Sequence, residues 1–329
     1  MKLFKTKLLS SLSYGANLPK LIVIAGPTAS GKTSLAIEIA CKFSARGGSA
    51  LGGKGGEIVS ADSRQIYRGM DIGTAKPTPE EMRLIPYYLI DIKNPDEEYT
   101  VAEYKKDALE AIDGILEKTR LPVMAGGTGL YIQAVTDNLD IPEVKPNPAL
   151  RKELETEIKE KGLEHLYRRL IELDPEAAYI VDPRNPRRVI RALEVSIETN
   201  KPFTSQRRKN NRLFDALKIG LTLPEEILKK RIESRVQEMV KSGLVEEVEN
   251  LISKYPTNLP AFDAIGYREI ISCLQEKSSL EEAVEQIKKN TWHYARRQMT
   301  WFRKDNEIHW ESPANTEKIM DLVDNFLSN

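Results

Sequence analysis

The chain is poor in sulfur and in histidine. Its 329 residues include two cysteines, Cys41 and Cys273, and three histidines, His165, His293 and His309. Each cysteine lies in an amphipathic helical pattern and reads as a small core residue. That excludes a disulfide framework and suits a reducing compartment, here taken as the cytoplasm. The histidines have neither metal-ligand spacing nor a partner for a catalytic triad. Net charge is missing as well: 49 Lys and Arg stand against 49 Asp and Glu. No global field therefore draws the chain to nucleic acid or membrane, and any such preference must come from a local patch. No apolar run approaches the roughly 18 residues of a membrane span, so no membrane partner is expected. Internal repeats are also lacking. The length allows one large domain or two smaller ones.

What is present is organised around Gly26-Pro27-Thr28-Ala29-Ser30-Gly31-Lys32-Thr33. A short apolar run, Leu21 to Ala25, precedes it, and a helical pattern with Leu35, Ile39 and Phe43 on one side follows. Strand, glycine-rich loop and helix form the setting in which G-x-x-x-x-G-K-[ST] makes a phosphate cradle. The glycines let backbone N–H groups turn inward around an anion, and the helix contributes unpaired N–H groups and the positive end of its dipole. Lys32 supplies a point charge for phosphate, and the Thr33 hydroxyl suits Mg²⁺. The loop does not say which phosphate compound it holds.

Residues 1–19 are basic, without an acid, and read as a disordered tail; a transit peptide there would be short. Residues 44–56 hold too many glycines for helix or strand and read as a flexible insert. A second strand, Glu57 to Ala61, delivers Asp62 and Ser63 at its carboxyl end. Ligands of open α/β sheets sit at that edge, so Asp62 should face the crevice of the phosphate loop. Residues 64–77 read as a long surface loop. Tyr87 to Asp91 resembles a third strand; Asp91 is compatible both with a magnesium-holding Asp of the Walker B type and with a plain strand-end turn. Thr100 and Glu103 form a capping box that opens a helix to about Lys118. Leu121 to Ala125 is another buried strand, running into a second glycine turn at Gly126, Gly127, Thr128 and Gly129. Strands alternating with helices predict a parallel sheet.

Near Ile141 the composition changes. Pro142, Pro146 and Pro148 mark a boundary, and helices without strands follow over 149–161, 163–173 and 186–199. The expected organisation is a core of 20–140 and 213–329 carrying a helical insertion at 141–212. The end of that insertion, 184–212, has nine basic residues against Glu194 and Glu198, a local net of +7. Segregated charge on a neutral chain points to a polyanion partner. A strand at Phe214 to Thr222 returns to the core. Helices over 225–252 break near Gly243, and Asp263 to Arg268 forms a glycine-bearing turn. A long helix capped by Ser279 runs through Trp292 to Lys304, where basic and aromatic residues interleave. That stretch can stack bases and pair phosphates, or pack on the sheet. Ile308 to Trp310 reads as an edge strand before a final helix.

From the residues alone the yield is an α/β enzyme, a P-loop-type parallel sheet flanked by helices, with an all-helical insertion. The strings GPTASGKTSLA (26–36), SADSRQIYRGMDIGTAKP (60–77), AGGTGLYIQA (125–134), NPRRVIRALEV (185–195), DAIGYREI (263–270) and ARRQMTWFRK (295–304) go further. In that order they resemble the tRNA dimethylallyltransferases, also called tRNA isopentenyltransferases, over about residues 20–311. The basic tail, the glycine-rich insert and Arg64 within the Asp-Ser-x-x motif depart from the pattern.

The resemblance implies transfer of a dimethylallyl group from dimethylallyl diphosphate to N6 of the adenosine just 3′ of the anticodon in tRNA. Pyrophosphate leaves. The loop residues Gly26 to Thr33 would then hold the diphosphate, with Lys32, the loop amides and Mg²⁺ on Thr33 stabilising the charge that develops on it. Thr28 would hydrogen-bond the bridging oxygen. Asp62 would act as general base on the adenine amino group. Thr128 and Arg151 match family positions that contact substrate, and Arg151 is suited to neutralise pyrophosphate. The family's tRNA contacts carry over to Asp62, Ser63, Arg64 and Gln65, to Arg187, Arg188, Val189, Ile190 and Arg191, and to Asp263, Ala264, Ile265, Gly266, Tyr267 and Arg268. The target base must be unstacked to reach the site. Two other classes share the loop. An ATP-dependent small-molecule kinase has no use for a +7 insertion, and a GTPase-like switch needs a guanine-reading Asn-Lys-x-Asp string that the sequence lacks. No heptad or exposed apolar stripe demands a dimer, so a monomer is expected.

Overall fold

A computed structural model describes residues 18–45, 55–142, 144, 146–206 and 210–328. Most of the predicted basic tail, most of the glycine-rich insert, and Arg207, Arg208 and Lys209 of the basic stretch lie outside the described residues. The described residues divide into two compact units, 137–212 and the remainder.

The larger unit is built on a parallel sheet. Its described strands are β1 (Lys20–Ala25), β2 (Gly56–Ser60), β3 (Tyr87–Tyr88), β4 (Leu121–Gly126), β5 (Asp215–Leu221) and β6 (Ile308–Glu311), in the order β3-β2-β4-β1-β5-β6. Each pairing is parallel. Successive side chains of a strand point to opposite faces. Ile22 and Ile24 pack with Leu35, Ala36 and Ile39 of α1 (Lys32–Ala45). Leu21, Val23 and Ala25 pack on the other face with Tyr104, Ala108 and Ile112. Those three residues belong to α2 (Val101–Glu117), which opens on the expected Thr100 and Glu103 capping box. Helices cover both faces, which is why the central strands read as continuous apolar runs. Val323 and Ile319 of the closing helix, Thr316–Ser328, complete the α1 face.

A further core lies among the helices after β5. It joins α3 (Glu225–Lys241), α4 (Leu244–Ile252), α5 (Tyr267–Leu274) and α6 (Leu280–Phe302) to Ile66, Tyr67 and Met70 of the loop after β2. Gly243, at φ 98°, makes the break between α3 and α4. The long helix α6 starts on a capping box of Ser279 and Glu282.

The smaller unit is helical, with α7 (Pro148–Lys161), α8 (Leu163–Leu173) and α9 (Pro186–Thr199) around Leu154, Leu166, Leu170, Val189 and Leu193. Asn147 and Asn185 cap α7 and α9 by accepting N–H bonds from Leu150 and Arg188.

The third strand is shorter than the sequence pattern suggests. Only Tyr87 and Tyr88 pair, and Leu89 and Asp91 have φ of 63° and 55°, which end the extended run. Asp91 accepts from Lys76 Nζ at 2.5 Å, so the structure shows an ion pair at that strand end. The partner is a lysine with 3% side-chain exposure that also donates to Tyr67 O and Asp71.

Candidate active site

Parallel strands bring their carboxyl ends to one edge, and three of them deliver chemistry there. β1 runs into the phosphate loop, β2 into Asp62, and β4 into the second glycine turn. A cavity of about 380 Å³ opens between them. Thr28, Gly31, Lys32 and Thr33 line it from the loop, Asp62, Ser63, Arg64 and Gln65 from the end of β2, and Gly126 and Gly127 from the turn after β4. Asp263, Ala264, Ile265 and Arg268 enter from around the start of α5. Arg235 comes from α3, and Tyr294, Arg297 and Gln298 from α6.

The phosphate loop is tightly wound. Gly31 has φ 97°, and Ala29 sits at φ 63°, a left-handed conformation that costs a non-glycine residue about 1–3 kcal/mol. Ser30 Oγ is buried in the loop without a protein partner. Lys32 Nζ donates to Pro27 O at 2.6 Å. Burial pulls the half-buried Lys32 ammonium down to about 7; Asp62 opposes the drop and Arg235 adds to it. Arg235 is lowered by burial and by its neighbour Arg231, and its Nη1 lies 3.5 Å from Thr28 Oγ1. Two crowded cations and a turn of backbone amides make a cradle whose repulsion a multivalent anion relieves.

Asp62 stands across this cradle. Its Oδ1 accepts the Arg64 N–H at 2.8 Å, which holds the carboxylate by a local turn. Its charge is felt by Tyr294, whose hydroxyl is pushed up to about 12 by burial first and Asp62 second. Close approach of strand ends positions the group: a β-carbon on Gly126 would lie 2.2 Å from Ala61 O. The absence of that carbon lets Thr128 N–H reach Ala61 O at 3.0 Å. Thr128 Oγ1 in turn accepts from Ser63 N–H at 3.0 Å, so Thr128 meets the cavity through Ser63. Gln65 is held by Ser60 Oγ at 3.1 Å and by donation to Ala75 O at 3.1 Å. Arg64 donates to Pro260 O at 2.9 Å.

Some expected contact residues are core. Tyr267 is fully buried, and its hydroxyl donates to Glu247 at 2.6 Å. Ala264 is 6% exposed, and Gly266 is buried. Tyr267 supports the turn from within the core, whereas Asp263 and Arg268 are exposed. In the helical unit, Val189 and Ile190 pack into its own core, because the apolar side of α9 faces inward. Arg187 and Arg188 are the exposed members of that stretch. Arg151 makes a two-pronged pair with the fully buried Glu194, Nε to Oε1 at 2.8 Å and Nη2 to Oε2 at 2.9 Å. Arg191 joins the same carboxylate at 2.6 Å. Desolvation works to raise the Glu194 pKa, but the two arginines and the Asn147 N–H hold it below its ordinary value. Two arginines on one carboxylate leave a local surplus of positive charge.

Sequence reasoning missed Arg235 and Gln298. Arg235 lies in a helix that reads as solvated and charged, and only its arrival beside Thr28 marks it out. Gln298 sits inside the ARRQ string, which gives it no distinguishing pattern. The basic and aromatic stretch around it divides: Tyr294 and Arg297 line the cavity, Trp301 packs on Gly129, and Phe302 is core. Among the described residues no cluster of His, Cys, Asp and Glu could hold a metal alone.

A phosphate loop and a carboxylate that line one cavity, at the carboxyl edge of a parallel sheet, are the architecture of a P-loop-type α/β enzyme. The chain belongs to the IPP transferase family, whose model matches residues 65–305. It is 48% identical over 297 residues to a tRNA dimethylallyltransferase of Acetivibrio thermocellus, covering 89% of this chain and 91% of that one. A full-length tRNA isopentenylpyrophosphate transferase from Bacillus halodurans superposes with TM-score 0.68 at 37% identity, over 94% and 97% of the two chains. A eukaryotic dimethylallyltransferase acting on tRNA gives TM-score 0.78 at 26% identity, over 94% and 80%.

Proposed function

We propose that this chain transfers a dimethylallyl group from dimethylallyl diphosphate to N6 of the adenosine 3′-adjacent to the tRNA anticodon, releasing pyrophosphate. The carrying observation is one cavity lined by both the Lys32 cradle and the Asp62 carboxylate. The allylic C–O bond breaks as the N6 lone pair forms a bond to that carbon. Negative charge develops on the leaving diphosphate, where Lys32, Arg235 and the loop amides meet it. Thr28, whose hydroxyl lies beside Arg235, is suited to the bridging oxygen. The adenine amine is a weak nucleophile, because its lone pair is delocalised into the ring. Asp62 aligns it and accepts the proton it loses.

The donor set fits Mg²⁺. The Thr33 hydroxyl at the cavity wall would hold such a hard cation. When bound, Mg²⁺ would neutralise charge on the diphosphate. Arg64, Gln65, Asp263 and Arg268 present the donors and acceptors that a splayed anticodon-loop base needs. Arg151, Arg187, Arg188 and Arg191 supply cations for the RNA backbone. We take the working form as a cytoplasmic monomer; no described helix is long and apolar enough to cross a membrane.

Replacement of Asp62 by Asn tests the assignment. Asparagine keeps an acceptor for the Arg64 N–H but takes no proton. Transfer should collapse while tRNA binding survives; transfer at the wild-type rate would remove Asp62 from the chemistry.

A further inference from the structure

We propose that Gln298 is a positioning residue that sets the separation of the two glycine turns, and so of the leaving group from the accepting nitrogen. The proposal rests on the transfer reading above. Gln298 projects from α6 and is 6% exposed. Its Oε1 accepts the Thr28 N–H at 2.8 Å, and its Nε2 donates to Gly127 O at 2.9 Å. One partner can only donate and the other only accept, so the orientation of the amide follows from its neighbours.

The two turns belong to β1 and β4, whose ladder ends at the pair Ala25 and Gly126. Beyond that pair the chains diverge into separate loops. Gln298 ties Thr28 to Gly127 there, as a side-chain rung set past the last backbone rung. The fit is close: a β-carbon on Gly127 would lie 2.2 Å from Nε2, while its next contacts would be Gln298 Cδ at 3.5 Å and Gly26 O at 3.8 Å. The rung also connects the two halves of the chemistry. Thr28 is the loop residue placed at the bridging oxygen. Gly127 precedes Thr128, which holds Ser63 beside Asp62. Because the Thr28 N–H is already taken by Gln298, that amide orients the loop and leaves the anion to the groups after it.

The test uses the full chain with Mg²⁺, dimethylallyl diphosphate and an anticodon stem-loop, and reads single-turnover transfer at saturating substrate. Q298L should slow transfer by about 100-fold, the cost of an ångström-scale misplacement. Its affinities for the stem-loop and for inorganic pyrophosphate should stay within about threefold, so the loss falls in kcat and not in KM. Q298E keeps the acceptor toward Thr28 but sets a second oxygen against Gly127 O, so it should fall at least as far as Q298L, and Q298A carries the test if Q298L does not fold. G127A should fall as far as Q298L. The double variant G127A/Q298A should transfer at the rate of Q298A alone, because the amide is the one group that a β-carbon at 127 would strike. Q298L and Q298E matching a wild-type chain that transfers would overturn the proposal alone. So would a double variant whose loss is the product of the two single losses. A wild-type chain that transfers nothing would overturn the underlying reading instead.

Discussion

Raising the pH should loosen the grip of the phosphate loop on diphosphate, and Lys32 should be the reason. Its ammonium is pulled down to about 7 in the ligand-free chain, chiefly by burial. An ordinary lysine, near 10.5, stays charged throughout the neutral range. With a value near 7, Lys32 is half charged at pH 7 and about one-tenth charged at pH 8. Bound diphosphate favours the charged form. The free chain therefore loses the proton first and the complex keeps it, so binding takes up a proton above pH 7 and weakens as pH rises. Between pH 6.5 and 8.5 the linked loss is about 25-fold, if the complex stays protonated throughout. Diphosphate itself titrates, so the control is K32R, whose guanidinium remains charged and shares the ligand's own contribution. The assay is calorimetric titration with inorganic pyrophosphate and Mg²⁺ at pH 6.5, 7.5 and 8.5, in two buffers of different ionisation enthalpy. The wild type should take up more protons than K32R and lose affinity more steeply. Parallel pH profiles for the two proteins would refute the reasoning. The same shift has a consequence for folding. The unfolded chain holds the Lys32 proton up to its ordinary 10.5, so the ligand-free fold gains stability as pH rises from 7 toward that value.

The remaining expectations concern the base and the RNA surface. D62N should lower the transfer rate by about 10²- to 10⁴-fold, the usual share of a positioned general base, with stem-loop affinity unchanged in a filter-binding assay. R187Q and R188Q should weaken tRNA binding and reduce the slope of log K against log salt by about one each. An unchanged slope would put the RNA footprint elsewhere.

The sheet was readable because its central strands are buried on both faces and the glycine turns punctuate them. The helical unit was readable because prolines mark its boundary and helical patterns without strands follow. Local pattern could not show which side of a motif faces inward. Val189 and Ile190 sit in a contact string yet fill the core of the helical unit, and Tyr267 is buried with its hydroxyl donating to Glu247. Arg235 and Gln298 were invisible for the opposite reason. Each lies far along the chain from the loop it serves, and only tertiary packing brings it there. Asp91 shows the limit of a strand-end argument, since the lysine that pairs with it lies 15 residues upstream in a loop without periodicity.

The most direct test of the account is to incubate the purified chain and Mg²⁺ with unmodified tRNA and either dimethylallyl diphosphate or ATP, and to weigh the resulting nucleosides by mass spectrometry. The account predicts an adenosine that gains one C₅H₈ unit with the prenyl donor alone. No gain with that donor, alongside turnover of ATP, would contradict it and give the phosphate loop to a nucleotide.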